Sequence, residues 1–280
     1  MRKILLVVLV ACKDPAPPPA PPPPRDLIVV APGVLPQRVL RYVAAKGTKS
    51  NLEIEIESSL MAGSATSPAP RLVFSISLSV DDVTADGAMK VTATIQDLAT
   101  HAMPDAPGAP RAGLDATAVK GMTITYTLAA DGQQKDIAVS DRPLTEPAKT
   151  MVAQLAQQLP SLAMQLPPTP VGIGAKWRSS KPLKNAGLAL QSVTTIDLVG
   201  LKDNQLTYEA TSTVHGPDQT ITEEGQSVSA KGITGQLKGH GTVDLGTLAQ
   251  KTELDAELHV DMAIGSDDTP MTMKLNLKTH

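Results

Sequence analysis

The sequence predicts a mainly β domain with one amphipathic helix: about eleven antiparallel strands curled into a barrel or half-barrel around that helix. Three observations carry the expectation. Apolar and polar residues alternate with period two through most of the chain, the pattern of strands buried on one face. Tight-turn pairs fall between the alternating runs. One stretch near the middle switches to a period near 3.6.

The runs follow in chain order. Leu52, Ile54 and Ile56 alternate with Glu53, Glu55 and Glu57. Leu72, Phe74, Ile76, Leu78 and Val80 alternate with Val73 and three serines. Met89, Val91, Ala93 and Ile95 form the next run, then Met122, Ile124, Tyr126 and Leu128. Leu206, Tyr208 and Ala210 stand against Thr207, Glu209 and Thr211. Leu254, Ala256, Leu258, Val260 and Met262 oppose Asp255, Glu257, His259 and Asp261, and Met271, Met273, Leu275 and Leu277 close the chain. Asp86-Gly87, Asp131-Gly132 and Asp203-Asn204 supply residues that tolerate positive φ, so hairpins and an antiparallel meander are expected.

From Thr145 to Leu166 the apolar positions are Met151, Val152, Leu155, Leu159, Leu162 and Leu166, a helical spacing. Thr145 suits the N-cap, and Pro147 falls in the first turn, where its missing N–H costs nothing. Pro160 predicts a kink or break, and Pro167, Pro168 and Pro170 end the segment. Residues 103–113 read as a mobile loop. Gly172 and Gly174 read as a glycine-permitted turn that buries Trp177, because no strand and no βαβ pattern surrounds them as a dinucleotide site requires. Gly235, Gly239, Gly241 and Gly246 are expected to mark bulges or sharp coiling in late strands.

The chain begins differently. Arg2 and Lys3 precede an apolar run, Ile4 to Val10, too short for a bilayer, which needs about 20 residues. Leu9-Val10-Ala11-Cys12 follows, and Cys12 is the only cysteine in 280 residues. This segment resembles the bacterial lipobox. The resemblance implies cleavage before Cys12, diacylation of its thiol, and a third chain on the freed amine. Two or more chains anchor stably. Lys13 rather than aspartate follows Cys12, which under the sorting rule of such lipoproteins favours the outer membrane. The alternatives are an ordinary secretory signal with a chance cysteine, or a start codon further upstream. Residues 15–24, PAPPPAPPPP, predict an extended polyproline II spacer of roughly 30 Å. A docking site for a proline-recognising module is the other reading. The expected organisation is 1–11 signal peptide, 12–25 acylated cysteine and linker, and 26–280 one β-rich domain with two halves meeting near 145–177.

Loss of Arg2 and Lys3 leaves 23 basic against 28 acidic residues, net −5. With no basic stripe and one Phe, one Trp and three Tyr, nucleic-acid binding is excluded and aromatic sugar platforms are absent. The histidines lack metal-ligand spacing, so no metal, no cofactor and no catalytic residue is assigned. His259 beside Asp261 reads as an exposed ion pair in preference to a catalytic one. Glu53, Glu55 and Glu57 read as a solvated strand face in preference to a calcium site.

One helix cannot cover eleven flat strands, so the sheet must curl or close. A curl walled by Leu, Val, Ile and Met leaves a groove suited to acyl chains. Its expected lining is Met151, Leu155, Leu159 and Leu162 from the helix, with Phe74, Ile76, Leu258 and Val260 from the strands. In architecture the body from about residue 36 to 280 resembles the LolA/LolB and LppX-type lipid-binding lipoproteins. Those enclose helices and a hydrophobic cavity in an incomplete barrel. Pro170-Val171-Gly172-Ile173-Gly174-Ala175-Lys176-Trp177 also resembles the P-V-x-V-G-x-x-W start of a repeat half in uncharacterised bacterial lipoproteins. The expected function is a membrane-anchored envelope lipoprotein with a non-catalytic module for a lipid or other apolar ligand. The alternative is a structural or interaction lipoprotein without a small-molecule ligand.

Overall fold

The computed structural model describes residues 27–101, 116–159, 163–185, 188–223, 226–264 and 267–280. Cys12, the proline-rich stretch, the 103–113 loop and Leu162 lie outside the described residues.

Fourteen strands form one antiparallel sheet: β1 (Leu27–Ala31), β2 (Lys49–Ala62), β3 (Ala65–Pro68), β4 (Arg71–Val83), β5 (Met89–His101), β6 (Thr123–Leu128), β7 (Gln134–Val139), β8 (Lys176–Asn185), β9 (Leu188–Lys202), β10 (Gln205–His215), β11 (Gln219–Glu223), β12 (Gln226–Asp244), β13 (Gln250–Ile264) and β14 (Asp267–Thr279). The spatial order is β1-β8-β9-β10-β12-β13-β14-β2-β4-β5-β6-β7, with β11 on β12 and β3 on β2. Among the described residues two helices interrupt it, α1 (Ala116–Val119) and α2 (Glu146–Gln158). The fold is thus mainly β and antiparallel, as the alternation implies. It has fourteen strands rather than about eleven, and it is not a closed barrel: β1 and β7 end the order and do not pair with each other.

Every alternating run forms a strand. The turns fall at Gly87, Gly132 and Asp203, with φ of 82°, 86° and 50°. Helix α2 has Thr145 in the N-cap position without a side-chain cap bond, and Pro147 lies in its first turn. Leu159 is its C-cap, so the helix stops before Pro160, whose ring and missing N–H oppose continuation.

Closure by pairing is replaced by crossing segments. Residues 32–48 run across one end of the sheet as a strap. Val34 N–H donates to Ile173 O (2.9 Å), Arg38 to Val171 O (3.0 Å), Tyr42 to Ala130 O (2.8 Å), Val43 to Leu245 O (2.8 Å) and Gly47 to Val80 O (2.8 Å). The strap therefore touches the approach to β8, the β6–β7 hairpin, the β12–β13 turn and β4. The segment before β8 adds two ties. Leu166 N–H donates to Asp131 O (2.9 Å), and the Trp177 indole donates to Gln165 O (2.9 Å). Gly172 permits this crossing: a Cβ there would stand 1.9 Å from Val34 O.

The main core unites strands far apart in the order. Trp177, Leu198, Leu206 and Val243 share it with Ile54, Phe74, Ile95 and Ile124, and α2 inserts Val152, Leu155, Ala156 and Leu159. Trp177, placed by the glycine turn before it, is 1% exposed.

Candidate functional site

The feature to explain is a mismatch of lengths. Helix α2 has 13 residues, about 20 Å at the rise of an α-helix. Strands β9 and β13 have 15 residues and β12 has 19, about 50 to 60 Å at strand rise. The helix and strap therefore cover one end of the inner face and do not reach the other.

Cross-strand registers show the change row by row. In the covered half, Trp177, Ile196, Ala210, Gly239, Leu254, Leu277 and Ile56 lie side by side, and Trp177, Ile196, Ala210 and Leu277 are buried. The next row outward is Ser179, Thr194, Ser212, Leu237, Ala256, Leu275 and Ser58. The row beyond is Lys181, Ser192, Val214, Gly235, Leu258, Met273 and Leu60. Most of these last residues are half-buried, and Met273 is 39% exposed. A second, smaller cluster of Leu188, Leu190, Ala230 and Ile233 caps this half, with Val214, Leu258, Val260 and Met262 packed against it.

The expected lining residues separate between the two halves. Phe74, Ile76, Leu155 and Leu159 are buried in the main core and Met151 packs against it, whereas Leu258 and Val260 pack against the second cluster. The void beside Leu159, shared with Tyr42, Leu52, Tyr126 and Val243, is about 30 Å³, the room of one water. Side chains therefore fill the space expected as a groove under the helix. Burial pushes the hydroxyl pKa values of Tyr42 and Tyr126 far above the ordinary tyrosine range, so both are neutral donors. Tyr42 Oη donates to Met164 O at 3.3 Å.

Within the half beyond the helix lies a polar group that the sequence reading did not single out. Ser192 Oγ and Ser212 Oγ are 2.8 Å apart, and Thr194 Oγ1 donates to Ser212 Oγ at 3.1 Å. Lys181 stands directly across from Ser192 on the same face. Among the described residues its side chain has no ion-pair or hydrogen-bond partner, and desolvation lowers its pKa. The alternation Trp177, Ser179, Lys181, Leu183 is the signal that places it on the Trp177 face.

The opposite face of the sheet is a charge ladder. Arg71 Nη2 meets Glu55 Oε2 at 2.6 Å and its Nε lies 3.7 Å from Glu57 Oε1. Lys278 Nζ reaches Glu253 Oε1 at 3.0 Å, and Lys274 Nζ reaches Glu257 Oε1 at 3.6 Å. Glu55 and Glu57 are thus paired on a polar face. His259 sits with Glu257 (Nε2 to Oε1, 3.7 Å) and Thr272 (Nδ1 to Oγ1, 2.9 Å), not with Asp261 as expected. An open depression of about 500 Å³ on this face is lined mainly by Glu57, Lys238, Asp255, Glu257, Lys274 and Asn276. Among the described residues no group of three His, Cys, Asp or Glu could hold a metal ion. No described helix is long and apolar enough to cross a membrane.

Comparison with protein-family models and with curated proteins gives no match to this chain.

Proposed function

We propose that the chain is a membrane-anchored lipoprotein of the bacterial envelope, held through acylated Cys12, whose body is a non-catalytic binding module for an apolar ligand. The tether reading rests on the Leu9–Cys12 pattern, the lone thiol and the basic start. Lys13 after the cysteine supports the outer membrane as its place. The binding reading treats the sheet as an open half-barrel, plugged at one end and accessible at the other. One observation supports it above others: the inner face continues past the helix as Val214, Leu258, Met273 and Leu60, of which Met273 is 39% exposed and the others are half-buried. Apolar surface left partly exposed in a contiguous row marks interaction sites.

The test uses the full-length chain carrying Cys12→Ser, which removes the acylation site. The expected result is lipid in the purified protein by mass spectrometry and saturable binding of a fluorescent fatty acid. Repeated absence of both overturns the reading.

A second reading, a structural or interaction lipoprotein, is favoured by the filled core and by β1. That edge strand exposes Ile28 (55%) and Val30 (61%), and among the described residues its outer ladder is unpaired and open to another chain. It expects concentration-dependent self-association or pairing, abolished by Val30→Pro.

A further inference from the structure

The half of the inner face beyond the helix combines apolar side chains with a few hydroxyls, and Lys181 is the charged residue among them. Lys181 occupies one end of the row that continues through Ser192, Val214, Gly235, Leu258 and Met273 to Leu60. Leu183, the next inward residue on β8, is 41% exposed, so the ammonium lies near an open margin of the sheet. The inner positions of β1, β8, β9, β10 and β12 carry no carboxylate among the described residues. A half-buried ammonium without a counter-charge costs stability unless something anionic joins it.

The neighbouring hydroxyls fit an anion as well. Ser192, Thr194 and Ser212 have three O–H donors among them, and their two mutual bonds use at most two. One hydroxyl hydrogen therefore remains for a ligand oxygen beside the ammonium. From this end the row runs six strand spacings to Leu60, about 29 Å at roughly 4.8 Å each, over side chains that are apolar beyond Ser192. The surface thus has a charged end and a long greasy end.

We propose that this row binds a single-chain fatty acid, with its carboxylate against Lys181 and the Ser192/Thr194/Ser212 hydroxyls and its alkyl chain along Val214, Leu258 and Met273. The proposal rests on the binding reading above and specifies its ligand class. One cation and one spare hydroxyl match the single charge of a carboxylate. A doubly charged phosphate monoester would call for a second cation or a guanidinium fork, and no inner position of β8 to β10 supplies one.

The test displaces a fluorescent fatty acid from the Cys12→Ser chain with laurate, dodecanol or dodecyltrimethylammonium, in the parent and in Lys181→Gln. The parent is expected to prefer laurate over dodecanol by about tenfold or more, the worth of one charge-assisted hydrogen bond. Lys181→Gln should remove that preference while leaving dodecanol affinity within about twofold, since it leaves the apolar row intact. Trp177 emission reports that the variant is folded. Equal affinity for laurate and dodecanol in the parent, or an equal loss of both in Lys181→Gln, overturns the carboxylate assignment and leaves apolar binding standing. Preference for the cationic amphiphile overturns the assignment too. If none of the three displaces the probe, or the probe itself does not bind, the binding reading falls with it.

Discussion

The two ends of the same inner face differ in a way the strands alone do not explain. Near Trp177 and Phe74 the alternating residues are buried under α2 and the strap. Near Lys181 and Met273 the same strands continue with the same alternation, and their side chains stand half-exposed. Alternation decides which face a residue takes. Coverage is decided by how far the helix and the crossing segments reach. The difference locates stability at one end and the opportunity for binding at the other.

Substitutions at the two ends should separate these roles. Phe74→Ala removes a fully buried ring and should cost about 3 to 5 kcal/mol in urea unfolding followed by Trp177 emission. Met273→Ala at the far end should cost less than about 1 kcal/mol by the same measurement. Similar losses at both positions would erase the distinction. Next in size is Gly172→Ala. Its Cβ would collide with the carbonyl of Val34, and the strap should loosen at a cost of about 2 kcal/mol. Hydrogen exchange should show the loss of protection confined to residues 32–48 and their partners before global unfolding.

Smaller effects sharpen the contrast between faces. Arg71→Met removes the pair with Glu55 on the polar face and should cost no more than about 1 kcal/mol, less at high salt. Lys181→Met should move the unfolding midpoint upward at neutral pH. The folded state lowers the lysine pKa by desolvation, so it binds fewer protons than the unfolded chain. Wild-type stability therefore rises with pH through the window between the folded and unfolded values. The advantage of Lys181→Met should be full below that window and vanish above the ordinary lysine range. An advantage that persists unchanged at high pH would mean that desolvation of the charge is not its cause.

Much of the sheet was legible because its strands bury one face and solvate the other, as in β4, β13 and β14. The three tight turns and the break at Pro160 were equally legible, since glycine and proline act locally, although the helical spacing was read on to Leu166 and residues 163–166 are not helical. The remaining strands were not. In β12 glycines occupy inner positions 235, 239 and 241, so no apolar alternation appears, although Leu254 and Leu258 lean across the space a Cβ would fill. In β8 Lys181 interrupts the aliphatic face, and Pro182 weakens the strand signal. Open rather than closed pairing follows from the strap bonds of residues 32–48, which join positions far apart in the chain and leave no local pattern. The lining set mixed residues of the two halves, because hydrophobicity marks a face and says nothing of what lies over it.

The most direct measurement places an environment-sensitive fluorophore on Met273→Cys in the Cys12→Ser chain and titrates it with laurate. A matched label on Ile137→Cys, at the exposed edge strand β7, serves as the reference. A saturable blue shift at position 273 with none at position 137 is the expected result. No change at 273, or the same change at both positions, would contradict the claim that the half of the inner face beyond the helix holds the ligand.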